Sequence, residues 1–129
     1  MNGVGLKKAK YLIDSVILID HLNGLKKATN WLRKNKSLCT ISVITRAEVL
    51  AGALPSEKLN IEKLLSDFEN IIITEQAANL AAEIRQKKKL KLPDAFQLAL
   101  AQINNLLLVT RNTKDFSPTM KFIKVPYKI

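Results

Sequence analysis

The sequence predicts an open α/β sandwich formed by one domain. Three observations carry that expectation. Short apolar runs of strand type alternate with stretches whose apolar residues recur at helical spacing. One run, Ile71-Ile72-Ile73, is β-branched throughout, which suits a strand covered on both faces, as in a parallel sheet. The chain has 129 residues, 47% of them apolar and 25% charged, with no linker, repeat or low-complexity segment to divide it.

Tyr11-Leu12-Ile13 is the first strand and ends at Asp14. From Ser15 the period changes: Val16, Leu18, Ile19 and Leu22 share one face of a helix, with Ser15 placed as its cap. After Gly24 a second helix carries Leu25, Ala28, Trp31 and Leu32, and Ser37 to Ile41 supplies the second strand, giving a βαβ pattern. Ser42 or Thr45 caps a helix bearing Ala47, Val49, Leu50 and Ala53; Pro55 closes it before an amphipathic helix with Leu59, Ile61, Leu64, Leu65 and Phe68. Ile71 to Ile73 is the third strand. Glu75 to Lys89 is helical through Ala77, Leu80, Ala81 and Ile84, and Pro93 opens a last helix that runs to Asn104-Asn105. Leu106 to Thr110 and Phe122 to Val125 are the fourth and fifth strands.

Cysteine and histidine counts exclude several chemistries. Cys39 and His21 each occur once, so there is no intrachain disulfide framework or cysteine-rich zinc cage, and a serine hydrolase would have to use His21 as its base. The scarcity of cysteine fits a reducing, cytoplasmic location. Val16 to Ile19, bounded by Asp14 and Asp20, is too short for a signal core or a membrane span, so no membrane association is expected.

Charge is the positive clue. Lys and Arg total 21 against 11 Asp and Glu, a net +10 that favours polyanions such as nucleic acid. The densest run, Lys87, Lys88, Lys89 and Lys91 after Arg85, reads equally well as a nucleic-acid contact or as a solvated helix end complementing its dipole.

In an open α/β sandwich, sites form at the carboxyl ends of the strands, near the reversal in strand order. That rule selects four acids: Asp14 after the first strand, Glu48 early in the helix after the second, Asp94 at the start of the helix leading into the fourth, and Asp115 after the fourth. Glu57, Glu62, Asp67, Glu69, Glu75 and Glu83 fall on polar helix faces or ends, and Asp20 is expected to point away from whatever Asp14 faces. Converging carboxylates repel by roughly 4 kcal/mol per pair about 4 Å apart at an effective dielectric near 20, so such a group invites a cation. Oxygen ligands without His or Cys favour Mg2+ or Mn2+. A divalent ion there could activate water against a phosphodiester, which links the acids to the basic surface.

Four segments together resemble a known family: Tyr11-Leu12-Ile13-Asp14-Ser15-Val16-Ile17-Leu18-Ile19-Asp20, Ser42-Val43-Ile44-Thr45-Arg46-Ala47-Glu48-Val49-Leu50-Ala51-Gly52, Leu92-Pro93-Asp94-Ala95 and Thr110-Arg111-Asn112-Thr113-Lys114-Asp115-Phe116. In content and order they are similar to the motifs of PIN-domain ribonucleases, nearest to the VapC-type toxins of toxin-antitoxin pairs. The resemblance implies a single PIN-like nuclease domain over residues 1–129, a three-layer α/β/α sandwich with a central parallel sheet of about five strands. It also implies a Mg2+- or Mn2+-dependent endoribonuclease that cleaves cellular RNA, is neutralised by a cognate antitoxin and pairs as a homodimer. Leu22, Leu25 and Trp31 could serve that interface or the core.

Residue by residue, Asp14, Glu48 and Asp94 match the acidic metal site and Asp115 its fourth position. Ser15, Thr110 and Asn112 match polar residues beside it. The chain departs from the family at Val16, where Asn or Ser is frequent. Arg111 and Lys114, bracketing Asn112, are the expected RNA contacts. Alternatives are a structure-specific nuclease outside a toxin-antitoxin pair, or a non-catalytic nucleic-acid-binding module, which leaves the four acids unexplained. A phosphoacceptor receiver domain lacks here the adjacent acidic pair it needs. The RNA target is not legible, because basic residues position a backbone without specifying bases.

Overall fold

A computed structural model describes residues 8–129. Its centre is a parallel sheet of β1 (Tyr11–Ile13), β2 (Cys39–Ser42), β3 (Glu69–Ile71), β4 (Leu107–Val109) and β5 (Ile123–Lys124). The spatial order is β3-β2-β1-β4-β5, with every neighbouring pair parallel. From β1 the chain builds outward to β2 and β3, then returns to place β4 and β5 on the other side. The reversal therefore falls between β1 and β4, and their carboxyl ends open the crevice where such folds bind ligands.

Among the described residues six α-helices cover the sheet: α1 (Ser15–Leu22), α2 (Lys26–Asn35), α3 (Val43–Ala51), α4 (Lys58–Leu65), α5 (Glu75–Lys88) and α6 (Leu92–Ile103). Successive strand residues face opposite sides. Leu12 and Leu108 accordingly join one core with α5, α6 and Phe116, while Ile13 and Val109 join the other with α1 to α4. Alanines 77, 81, 95 and 99 are all fully buried in the first core, and their small side chains let α5 and α6 approach closely. The expected three-layer sandwich with five parallel strands is the observed one.

Local boundaries differ from expectation for identifiable reasons. Ser15 is not the cap of α1; Asp14 is, its Oδ1 accepting from the Ser15 backbone N–H at 2.8 Å. The run Val16 to Ile19 is apolar on every face, so periodicity could not orient the helix. Packing buries Ile17, Leu18 and Asp20 and leaves Ile19 and Leu22 exposed. Ser37 and Leu38 belong to a 3-10 turn that closes α2, and β2 starts at Cys39.

The third strand is Glu69–Ile71, not Ile71 to Ile73. It is an edge strand whose ladder ends where Ser42, the last residue of β2, pairs with Ile71, so Ile72 and Ile73 are exposed. Leu59, expected on the apolar face of α4, is also exposed, and the buried Phe68 lies beyond the helix.

Candidate active site

At the carboxyl ends of β1 and β4 lies a cavity of about 490 Å³. Asp14, Ser15 and Val16 reach it from the end of β1, and Glu48 from α3. Lys91, Pro93 and Asp94 come from the start of α6, and Arg111, Asn112, Thr113, Lys114 and Asp115 from the segment after β4. All four acids expected at the strand ends line it. Val16, at the position where the family is often polar, contributes apolar wall.

Asp14 is buried, and each of its carboxylate oxygens has a donor. Oδ1 accepts from Ser15 N–H at 2.8 Å and Oδ2 from the Thr110 hydroxyl at 2.8 Å. Burial raises its carboxyl above the ordinary range; the hydrogen bonds from Thr110 and Ser15 oppose that, while the charge of Glu48 adds to it. The Thr110 oxygen also accepts from the Asn112 backbone N–H at 3.0 Å, and Asn112 Nδ2 donates to Asp115 Oδ2 at 2.9 Å. Thr110 and Asn112 thus bond the acids directly, linking Asp14 to Asp115.

Asp94 is half-buried in the first turn of α6, and its carboxyl is pushed up to about 6. Burial is the main cause; the charges of Asp14, Asp115 and Glu48 add to it, and Lys91 opposes it. Asp94 therefore feels the other three acids. Yet no three His, Cys, Asp or Glu side chains among the described residues close to metal-holding distance. The donor set is entirely oxygen and its negative charge exceeds what Lys91 and Lys114 offset, which fits a hard divalent cation.

The lone His and Cys stand elsewhere. His21 Nδ1 hydrogen-bonds the Thr29 hydroxyl at 2.8 Å. Cys39 is buried, donates to the Asn35 carbonyl, and has its thiol pushed up to about 12 by burial, far from a reactive thiolate.

Two polar networks around the cavity were not anticipated. Ser42 Oγ donates to Gln97 Oε1 at 2.6 Å, Gln97 Nε2 donates to Thr45 Oγ1 at 2.7 Å, and Thr45 Oγ1 donates to the Ile13 carbonyl at 3.0 Å. These buried bonds tie the helices bearing Glu48 and Asp94 to the strand leading into Asp14. Their sequence signal is spacing: Thr45 lies three residues before Glu48 and Gln97 three after Asp94, one helical turn in each case.

The second network centres on buried Asp20. Arg111 donates to it from Nε at 2.5 Å and from Nη2 at 2.8 Å, and Tyr127 Oη donates at 2.9 Å. The Arg111 hydrogen bonds hold the Asp20 carboxyl below its ordinary range despite burial, with Tyr127 assisting. As expected, Asp20 is not among the cavity-lining residues, although Arg111 spans both places. Lys91 as a cavity residue was not expected.

Among the interface candidates, Leu22 is exposed, Leu25 is half-buried, and half-buried Trp31 packs on Tyr11 with ring centroids 5.3 Å apart. No described helix is long and apolar enough to cross a membrane.

A model of the PIN domain family matches residues 11–119. A relative from Mycobacterium tuberculosis, Ribonuclease VapC10, is 32% identical over 126 residues, covering 92% of this chain and 93% of its own. Among solved structures, a toxin-antitoxin complex from Klebsiella pneumoniae contains a chain 39% identical with a TM-score of 0.85, covering 93% of this chain and 100% of that one. DNA-bound VapBC from Salmonella typhimurium shares the fold at 24% identity and a TM-score of 0.75, covering 90% of this chain and 96% of that one.

Proposed function

The chain belongs to the PIN domain family, and on that premise we propose that it is a divalent-cation-dependent endoribonuclease, a VapC-type toxin held in check by a cognate antitoxin. The observation that carries this reading is the gathering of Asp14, Glu48, Asp94 and Asp115 around one cavity in a chain of net charge +10. Four carboxylates by themselves repel a polyanion; a cation between them and a phosphodiester reconciles the two. Asp14, Glu48 and Asp94 would hold Mg2+ or Mn2+, with Asp115 completing the set directly or through water. When bound, the ion supplies Lewis acidity that acidifies water and offsets charge on phosphoryl oxygen.

The protein's own residues do the positioning. Thr110 and the Ser15 N–H fix both oxygens of Asp14, and Asn112 fixes Asp115. Lys114 is exposed at the rim, and Arg111 commits two of its five N–H donors to Asp20, leaving the others free for phosphate. In the reaction a water oxygen bonds to phosphorus in line as the P–O3′ bond breaks. The 3′ oxygen leaves with a proton, giving a 5′-phosphate and a 3′-hydroxyl.

The test is cleavage of RNA and of structured DNA by the purified chain in Mn2+ and in EDTA, with the product ends mapped. RNA hydrolysis that stops in EDTA and leaves 5′-phosphates is the expected result. A 2′,3′-cyclic phosphate, or cleavage undiminished by EDTA, overturns the mechanism, and cleavage of structured DNA alone moves the reading to a structure-specific nuclease. For the antitoxin, co-expression with the product of the adjacent reading frame should abolish activity. For the homodimer, light scattering at micromolar concentration should give twice the chain mass; a monomer refutes it.

A further inference from the structure

The end of α5 and the turn into α6 concentrate positive charge: Arg85, Lys87, Lys88, Lys89 and Lys91, all exposed. The C-terminal dipole of α5 accounts for Arg85, Lys87 and Lys88, which stand in its last turn. The same dipole favours Lys89, which ends the helix at φ 55, but it does not account for Lys91 beyond it. None of the five is in an ion pair among the described residues, where the pairs are Lys36 with Asp67 and Arg111 with Asp20.

This basic run contributes to two hollows. Lys91 lines the acid cavity. Lys88 lines a second hollow of about 330 Å³ together with Gln102, Met120, Lys121 and Phe122. Lys121 comes from the segment before β5, so a different part of the chain adds its charge to the far hollow. Met120 and Phe122 give that hollow apolar surface.

We propose that this basic turn is a track for the substrate: a single RNA strand in the acid cavity continues over Lys91 and Lys89 into the hollow of Lys88, Lys121 and Phe122. Cationic grooves with aromatic surface are the usual means of holding a single strand without reading its sequence. The inference rests on the ribonuclease reading above, and adds which way the strand leaves the cavity.

The test compares two double variants of equal charge, K88Q/K121Q and the control K34Q/K63Q, at positions that are all exposed, after melting curves confirm that each is folded as wild type. Binding of a long, fluorescently labelled single-stranded RNA is followed by anisotropy in EDTA across a salt series. K88Q/K121Q should bind about five- to tenfold more weakly at about 0.1 M salt, and its slope of log affinity against log salt should be shallower by about 1.4, two phosphate contacts. The control should lose about twofold at most. Equal losses in both variants mean a general field and overturn the track, as does no loss in either. A K88Q/K121Q variant unchanged towards RNA but weakened towards poly-glutamate assigns the ridge to an acidic protein segment, and overturns it too. Wild type that binds RNA through these lysines but hydrolyses none in Mn2+ supports the track and defeats the nuclease reading; hydrolysis with no effect of K88Q/K121Q does the reverse.

Discussion

Asp14 and Asp20 stand at opposite ends of one short helix, both buried, and their environments push them in opposite directions. Asp20 meets a bidentate guanidinium and a phenol, and its carboxyl is held below the ordinary range. Among the described residues Asp14 meets only neutral donors, with Glu48 and Asp94 nearby, and its carboxyl is raised. A fold that can supply Arg111 to one acid has withheld a cation from the other. Compensated charge of the first kind holds structure together. Uncompensated charge of the second kind costs stability, and points to something the site is built to take from solution.

The largest effect should come from abolishing the uncompensated site. Asp14→Asn leaves the volume almost unchanged and should lower RNA cleavage in Mn2+ by at least about 10³-fold, roughly 4 kcal/mol of barrier. Single-turnover rates check this; activity within tenfold of wild type breaks the comparison, because Asp14 would then be structural like Asp20.

Next in size is the compensated site. Asp20→Asn removes the charge that answers Arg111 and should cost about 2 to 3 kcal/mol in urea unfolding. The two aspartates are then distinguished by which assay each damages: cleavage for Asp14, stability for Asp20.

A smaller effect of opposite sign belongs to Asp94. Its carboxyl titrates near 6 in the fold against 3.8 ordinarily, so the folded state holds that proton more tightly than the unfolded chain does. The sign follows: below about pH 4 the group costs nothing, stability falls as pH rises towards 6, and above that the full cost remains. Asp94→Asn should therefore stabilise the cation-free protein at pH 7 by about 1 to 2 kcal/mol after solvent screening, flatten its pH profile between 4 and 6, and shrink the stabilisation gained from Mn2+. Thermal melts in EDTA and in Mn2+ measure all three. A destabilised variant that keeps its full Mn2+ shift would make Asp94 a helix-end residue only.

The smallest is Tyr127→Phe, which deletes one hydrogen bond to Asp20 and should cost about 0.5 to 1.5 kcal/mol in the same urea unfolding, with cleavage rate unchanged. A loss as large as that from Asp20→Asn would show that the phenol, rather than Arg111, compensates the buried acid.

How much of this was legible in the sequence follows from what each feature depends on. The sheet, its five strands and the four acids were readable, because alternation of periods, position just past a strand for Asp14 and Asp115, and position early in a helix for Glu48 and Asp94 are local properties. The buried face of α1 was not, because Val16 to Ile19 is apolar all round and only its neighbours choose between faces. The extent of β3 was not, because Ile72 and Ile73 are good strand formers with no partner strand beside them among the described residues. Asp20 was correctly placed away from the cavity, but its partners Arg111 and Tyr127 lie 91 and 107 residues onward, a pairing that no local pattern encodes. The Ser42–Gln97–Thr45 chain had a signal in its helical spacing from the acids, but ordinary polar residue types conceal it.

The hydrogen bond that fixes Asp14 joins residues 96 positions apart, from the Thr110 hydroxyl to the first acid of the chain. That separation is also an interval of time. At roughly 5 to 20 residues per second of synthesis, about 5 to 20 s pass between the making of Asp14 and of the hydroxyl that orients it. Asp115 and the clasp of Tyr127 on Asp20 come later still. A nascent chain on the ribosome, surrounded by RNA, carries the first acid without the groups that aim it, so the cleft gains its last lining residues only once the segment after β4 has emerged.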